Sequence, residues 1–201
     1  MEALVVLLDK LLSILDKLGP ALIGLLGVLI GAGITWLQQR AAGRHRFVER
    51  QITELYAPLV SLRKLIRAKS ELRLKISKAS SAAWKDETER RPADDLEALY
   101  EDKYKPLIDY DNQQFEDELF PAYKNMLQTL TENLWLAEEM TRAHYQNLVE
   151  YVELWDRWLK KSIPGEILEQ VDLREETLYP LYEDIEQHLE KLRSKLAAGK
   201  A

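Results

Sequence analysis

The sequence predicts an all-α protein: an N-terminal amphipathic helix and a single transmembrane helix followed by a cytoplasmic antiparallel helical bundle. Three observations carry this reading. Apolar residues recur at alternating spacings of three and four through most of the chain beyond residue 47. No segment alternates with the period of two that a half-buried strand requires. Residues 20–37 contain no charged side chain at all. The expected organisation is an amphipathic helix over 1–19, a span over 20–38 and a helical bundle over 39–201.

In "MEALVVLLDKLLSILDKLGP", Glu2, Asp9 and Asp16 repeat every seven residues, as do Lys10 and Lys17, with Ser13 between them. They form a narrow polar stripe on a leucine-rich helix. About 15 apolar-rich residues are too few to span a bilayer comfortably, so the segment is expected to lie flat in the outer interface. In an oligomer, Asp9, Lys10, Ser13, Asp16 and Lys17 could instead face a shared aqueous lumen, because charge within a bilayer must find water or a partner. Gly19 and Pro20 end this helix and start the next.

The uncharged run covers roughly 27 Å at 1.5 Å per residue, close to the thickness of a hydrocarbon core. Trp36 stands where an aromatic interface anchor belongs, and Arg40, Arg44, Arg46 and Arg50 follow it. Only Lys10 and Lys17 lie on the other side. The positive-inside rule therefore puts the N-terminus outside and the long C-terminal part in the cytoplasm. Glu2 and the lack of a cleavage pattern argue against a secretory signal. Gly24, Gly27 and Gly31 share one helix face and would let two spans pack closely.

Beyond the span, Val48, Ile52, Leu55, Leu59, Leu62 and Ile66 define a long amphipathic helix with a kink expected at Pro58. "SKASSAAW", residues 77–84, reads as its end or as a loop. A helix through Leu96, Leu99 and Tyr100 should stop near Asp109, before a polar break at "DYDNQQ". The next should run from about Phe115 to Ala137. Thr141 is expected to cap a helix with Tyr145, Leu148, Val152, Trp155 and Leu159 inside. Ser162 is expected to cap a turn at Pro164, and Asp172 with Glu175 has the capping-box pattern. The last helix buries Leu178, Leu181, Ile185, Leu189, Leu192 and Leu196.

Composition bounds the chemistry. The 201 residues carry no cysteine, which excludes disulfides, thiolate catalysis and zinc–thiolate sites. Charge is asymmetric: Gln39 to Ser80 holds eleven Lys/Arg against three Asp/Glu, and everything after Ser80 fifteen against twenty-eight. The basic run 63–78 lacks the interleaved aromatics of a single-strand nucleic-acid surface, so a solvated or intra-bundle face is the stronger reading and nucleic acid is not the expected partner. Asp184 and His188 share a face at i, i+4, but no second Glu-x-x-His pair completes a di-metal site, and surface or capping roles are expected for His144 and His188. No glycine-rich phosphate loop or calcium loop is present, and no metal or cofactor is expected. The tryptophans at 84, 135, 155 and 158 read as core or interface anchors.

Arg40 and His45 stand in an R-x-x-x-x-H arrangement that resembles the motif of HEPN ribonucleases, which would imply acid–base chemistry by His45 between two protomers. Ala41 replaces the polar residue usual after that arginine, and topology already accounts for the arginines. The stretches 47–76 and 133–159 resemble a group of uncharacterised bacterial proteins with a short N-terminal membrane helix and a cytoplasmic helical region. In layout the chain is similar to small membrane effectors of anti-phage defence, including the pore-forming accessory protein found beside RNA-targeting CRISPR nucleases. That resemblance implies a membrane-anchored homo-oligomer that perturbs the bilayer, and no enzyme. The other reading is a monomeric or dimeric anchor that recruits a cytoplasmic protein.

Overall fold

The computed structural model describes residues 31–40, 42–168, 170–171 and 174–199. All regular structure among them is helical. The chain divides into two compact units, one ending at Val48 and one over Glu49–Lys200. In the first, residues 31–40 and 42–48 are helical, and Ile34, Trp36 and Leu37 are exposed. No helix among the described residues is long and apolar enough to cross a membrane. The greater part of the uncharged run, and all of the amphipathic segment before it, lie outside the described residues.

The second unit starts with a π-helical turn, Gln51–Tyr56, that feeds the long helix α1, Ala57–Arg90. A return rod follows: a short helix Leu96–Leu99, a π turn Tyr100–Tyr104, α2 over Lys105–Gln114, a π turn Phe115–Leu119 and α3 over Phe120–Glu132. After a short helix Glu139–Ala143 come α4, Tyr145–Leu159, and α5, Tyr179–Ala197.

The three π turns share one cause. Each ends two residues before a proline, Pro58, Pro106 or Pro121. The residue between donates its N–H to the carbonyl five back: Ala57 to Ile52, Lys105 to Tyr100, Phe120 to Phe115. Proline offers no N–H and its ring crowds the carbonyl four residues earlier, so widening the preceding turn lets the helix continue. The helix is therefore not broken at Pro58.

Cross-helix pairs give the direction of packing. Trp84 meets Tyr104 at 4.9 Å between ring centroids, Lys69 pairs with Glu118, and Gln51 donates to the Leu136 carbonyl at 2.8 Å. The return rod is thus antiparallel to α1. Tyr123 meets Tyr151 and Phe115 meets Trp155, so α4 runs antiparallel to α3. Tyr56 meets His188 and Arg63 meets Tyr182, so α5 runs antiparallel to α1. The result is an up-down-up-down bundle around Leu55, Leu59, Ile66, Met126, Leu130, Leu148 and Ile185, all at most 1% exposed.

Several local expectations are corrected. "SKASSAAW" neither ends α1 nor forms a loop: Ser77, Ser80, Ser81 and Trp84 line a cavity with Tyr100, Tyr104 and Ile108, the small serines letting the rod approach. "DYDNQQ" is helical, because it holds no glycine or proline and its polar side chains are largely solvated. The next helix stops at Glu132, with Asn133 leaving the helical conformation. Thr141 caps nothing and lies inside Glu139–Ala143. Ser162 closes α4 instead of opening a new helix: its N–H donates to Arg157 O at 2.9 Å while Lys161, at φ 54°, donates to Trp158 O, a Schellman stop. Asp172 lies outside the described residues.

Candidate functional site

Helix α1 buries only Leu59, Val60 and Ile66 over its 34 residues. On the side turned away from them, Leu65, Ala68, Leu72, Ile76, Ala79 and Ala83 fall within an arc of about 80°. All six are exposed. Part of the basic run is consumed within the bundle. Arg63 donates to Glu175 Oε1 at 3.2 Å and lies 3.8 Å over the Tyr182 ring; Arg67 pairs with Glu71, holding that carboxyl below its ordinary range. Lys69 takes Glu118. Lys64, Lys75 and Lys78, on one flank of the apolar stripe, are in no ion pair among the described residues and are exposed.

The bundle interior holds a directional chain of hydrogen bonds. The Glu138 N–H donates to the Tyr56 hydroxyl at 3.0 Å, and Thr141 donates to Asp184 Oδ2 at 2.5 Å. Because the Thr141 proton is committed, the 3.0 Å contact between Tyr56 and Thr141 runs from the phenol to Oγ1. His188 Nδ1 closes the other end, 3.1 Å from Asp184 Oδ1 and 3.0 Å from the Asp184 carbonyl, so Nδ1 carries the hydrogen. Its ring stacks on Tyr56 at 12° between planes. His188 is part-buried and bonded to Asp184 instead of taking the surface or capping role expected, while His144 occupies the N-cap position of α4 without a side-chain cap bond. Asp184 separates Thr141 from His188, so the imidazole cannot take the threonine proton. The chain ties α1, Glu139–Ala143 and α5 together, and burial raises the Tyr56 pKa, keeping the donor protonated.

A cavity of about 330 Å³ opens where α1, the Phe115–Leu119 turn and α4 meet. Its walls are mainly Phe115, Tyr123, Tyr151, Trp155 and Trp158, and Arg73 enters from α1. The Arg73 guanidinium carbon lies 5.6 Å from the Phe115 ring centroid. Arg73 Nε and Trp155 Nε1 are both buried, and neither has a hydrogen-bond acceptor. The Trp155 N–H lies near enough to the Tyr151 hydroxyl to favour its ionised form slightly, without the geometry of a hydrogen bond. Burial outweighs this and pushes the Tyr151 phenol up to about 12. Tyr123 and Tyr182 are raised for the same reason. Glu175 also lines the cavity, accepting from Arg63 and from the Tyr182 hydroxyl, each at 3.2 Å.

Of the residues singled out from sequence, Asp9, Lys10, Ser13, Asp16, Lys17, Gly24 and Gly27 lie outside the described residues. Gly31 is helical, and a methyl group on it would meet nothing within 4 Å in the described structure. Arg40 stacks over Trp36 at 5.2 Å; Arg44 and Arg46 are exposed. Arg40 and His45, five residues apart, would be turned about 140° from each other on a regular helix, so one chain does not bring them together. No three His, Asp or Glu side chains converge as metal ligands among the described residues. Trp84 and Trp155 are half-buried as expected of anchors, whereas Trp135 and Trp158 are exposed. Arg73 was legible only as part of the basic run, although it occupies the register of Leu59 and Ile66, seven residues apart on the inner face of α1. A charge in a core register was the available signal. Compared with protein-family models, curated proteins and solved structures, the chain matches none.

Proposed function

We propose that the protein is a membrane-anchored helical interaction protein whose bundle uses the outer face of α1 to dock an acidic amphipathic helix of a cytoplasmic partner. The observation that supports this is the exposed stripe Leu65, Leu72 and Ile76, continued by alanines over about 27 Å and flanked by Lys64, Lys75 and Lys78. A helix laid in such a face anchors its own leucines at helical spacing and places acids against the lysines. Two copies pairing antiparallel along the stripe would instead set lysines against lysines, which disfavours that self-association through this surface. The uncharged run ahead of Trp36 and the arginines after it support anchoring with the bundle on the cytoplasmic side.

The test combines light scattering and binding on the full chain in mild detergent, beside a chain beginning at Arg44. The probe is a synthetic acidic helix with leucines at helical spacing; a basic version is the control. Expected are a monomer or dimer, selective binding of the acidic peptide, and at least a tenfold loss on combining Leu72→Glu with Ile76→Glu. A discrete higher oligomer that needs the N-terminal segment and leaks dye from liposomes would replace this reading with the membrane-perturbing one. Leakage abolished by converting Asp9, Lys10, Asp16 and Lys17 to leucine would then assign the lumen. No selectivity between the peptides would remove the docking reading.

A further inference from the structure

We infer that the cavity between α1 and α4 is a binding site for a flat, apolar monocarboxylate, held by Arg73 and the Trp155 indole N–H. The argument starts from the two buried N–H groups without acceptors. A buried donor without an acceptor loses its hydration and receives nothing in return, so such groups are rare and call for an explanation. Both belong to residues lining the same cavity, on different helices, and each nitrogen is itself covered, so a ligand filling the cavity meets it after a small turn of the side chain. An acceptor-only group satisfies both, and a carboxylate presents two oxygens for the purpose.

Charge narrows the class. Arg73 is the only cation among the lining residues, and Glu116 and Glu175 stand in the same wall. Glu175 is neutralised from behind by Arg63 at 3.2 Å. A single negative charge balances Arg73, whereas a phosphate dianion would face uncompensated repulsion from the acids. The rest of the wall is aromatic: Phe115, Tyr123, Tyr151, Trp155 and Trp158 offer ring faces and edges to an apolar body. The Tyr151 phenol, with its pKa at about 12, stays protonated and repels no anion at neutral pH. At about 330 Å³ the space is at the small end of ligand cavities, suited to a one- or two-ring acid. The same chemistry could be supplied by a free acid or by the C-terminal carboxylate of a peptide ending in an aromatic residue. This site is independent of the docking face on the far side of α1.

The experiment uses the full chain in mild detergent with 2-naphthoate as probe, followed by calorimetry and by the indole N–H resonance of Trp155. Expected are saturable binding, a shift of the Trp155 N–H signal, and binding of neutral 2-naphthylmethanol weaker by about 10- to 100-fold, the range of a charged hydrogen bond. Arg73→Met should weaken naphthoate by a similar factor and remove its preference over the alcohol. Trp155→Phe keeps an aromatic ring in the wall, though a smaller one, and removes the donor, and should cost a few-fold, so the test survives if Arg73→Met fails to fold. Competition by a peptide ending in free phenylalanine, but not by its amide, would make a chain end the source; no competition would leave a free acid. No binding to the wild type, equal binding of acid and alcohol, or naphthoate affinity unchanged in both variants overturns the inference.

Discussion

The hydrogen-bond chain from Glu138 to His188 and the cavity around Arg73 are made of similar parts: phenols, a charged group and donors carried by helices packed at the bundle centre. In the first, every proton has a destination: Glu138 N–H to Tyr56, Tyr56 to Thr141, Thr141 to Asp184, with His188 meeting the same carboxylate from the other side. In the second, Arg73 Nε and Trp155 Nε1 are buried and complete no hydrogen bond within the fold. Closed polar networks specify and rigidify a fold, whereas open ones forgo stability and keep binding capacity. The difference separates the part of the interior that holds the helices from the part that can receive something.

The largest effect is expected where the closed chain is cut. Thr141 is 0% exposed, and Thr141→Val leaves the Tyr56 hydroxyl without an acceptor and Asp184 without its shortest donor. Denaturant unfolding should show a loss of about 3 kcal/mol, because each stranded buried group forfeits its desolvation cost. A loss below about 1 kcal/mol would mean that the chain does not tie α1 to α5, and the contrast with the cavity would fail. The double variant with Tyr56→Phe should lose less than the sum of the two single ones, since they break one network.

A smaller effect comes from alkali and belongs to the cavity side. Tyr151 is held protonated by burial, with its pKa at about 12 in the fold against about 10 unfolded. Its contribution is fully present below the unfolded value and is lost as pH rises toward the folded one, because the unfolded chain releases the proton first. By pH 11 this single group should cost roughly 1.4 kcal/mol of stability. Thermal midpoints measured from pH 9 to 12 should fall, and Tyr151→Phe should fall less steeply. An identical slope in the variant would show that Tyr151 is not shielded from water as its burial implies.

How far these features could be read in advance depends on how local their causes are. The helical class follows from periodicity, as do Leu55, Leu59, Ile66 and the run from Leu178 to Leu192, which the structure buries, whereas Leu62 and Leu196 are only half-buried. The polar stretch 109–114 misled because polarity alone does not break a helix; only proline, glycine or a competing cap does. Ser77, Ser80 and Ser81 misled for a related reason, since small residues were needed where Tyr100 and Tyr104 press against α1. The Thr141–Asp184 bond spans 43 positions and the Tyr56–Thr141 contact 85. Partners so distant leave no pattern in one sequence. Arg73 was read only as part of the basic run, although its place in the register of Leu59 and Ile66 is a local violation of the core pattern.

That violation leads to the smallest stability effect and the sharpest contrast. Cutting the closed chain at Thr141 strands two groups, whereas Arg73→Met removes one already without an acceptor at Nε and fills part of the aromatic cavity with an apolar, adaptable side chain. The variant loses the Arg73 contact with Phe115, worth about 0.5–1 kcal/mol at a partly exposed site. It gains relief from the stranded donor, which is at least comparable. Its unfolding free energy should therefore lie within about 1 kcal/mol of the wild type, on the stabilising side if the methionine packs fully. A loss matching that of Thr141→Val would mean that Arg73 is tied into the fold as firmly as Asp184, and the cavity would become a structural joint. Near-neutral stability together with lost naphthoate binding would instead separate holding from receiving at a single side chain.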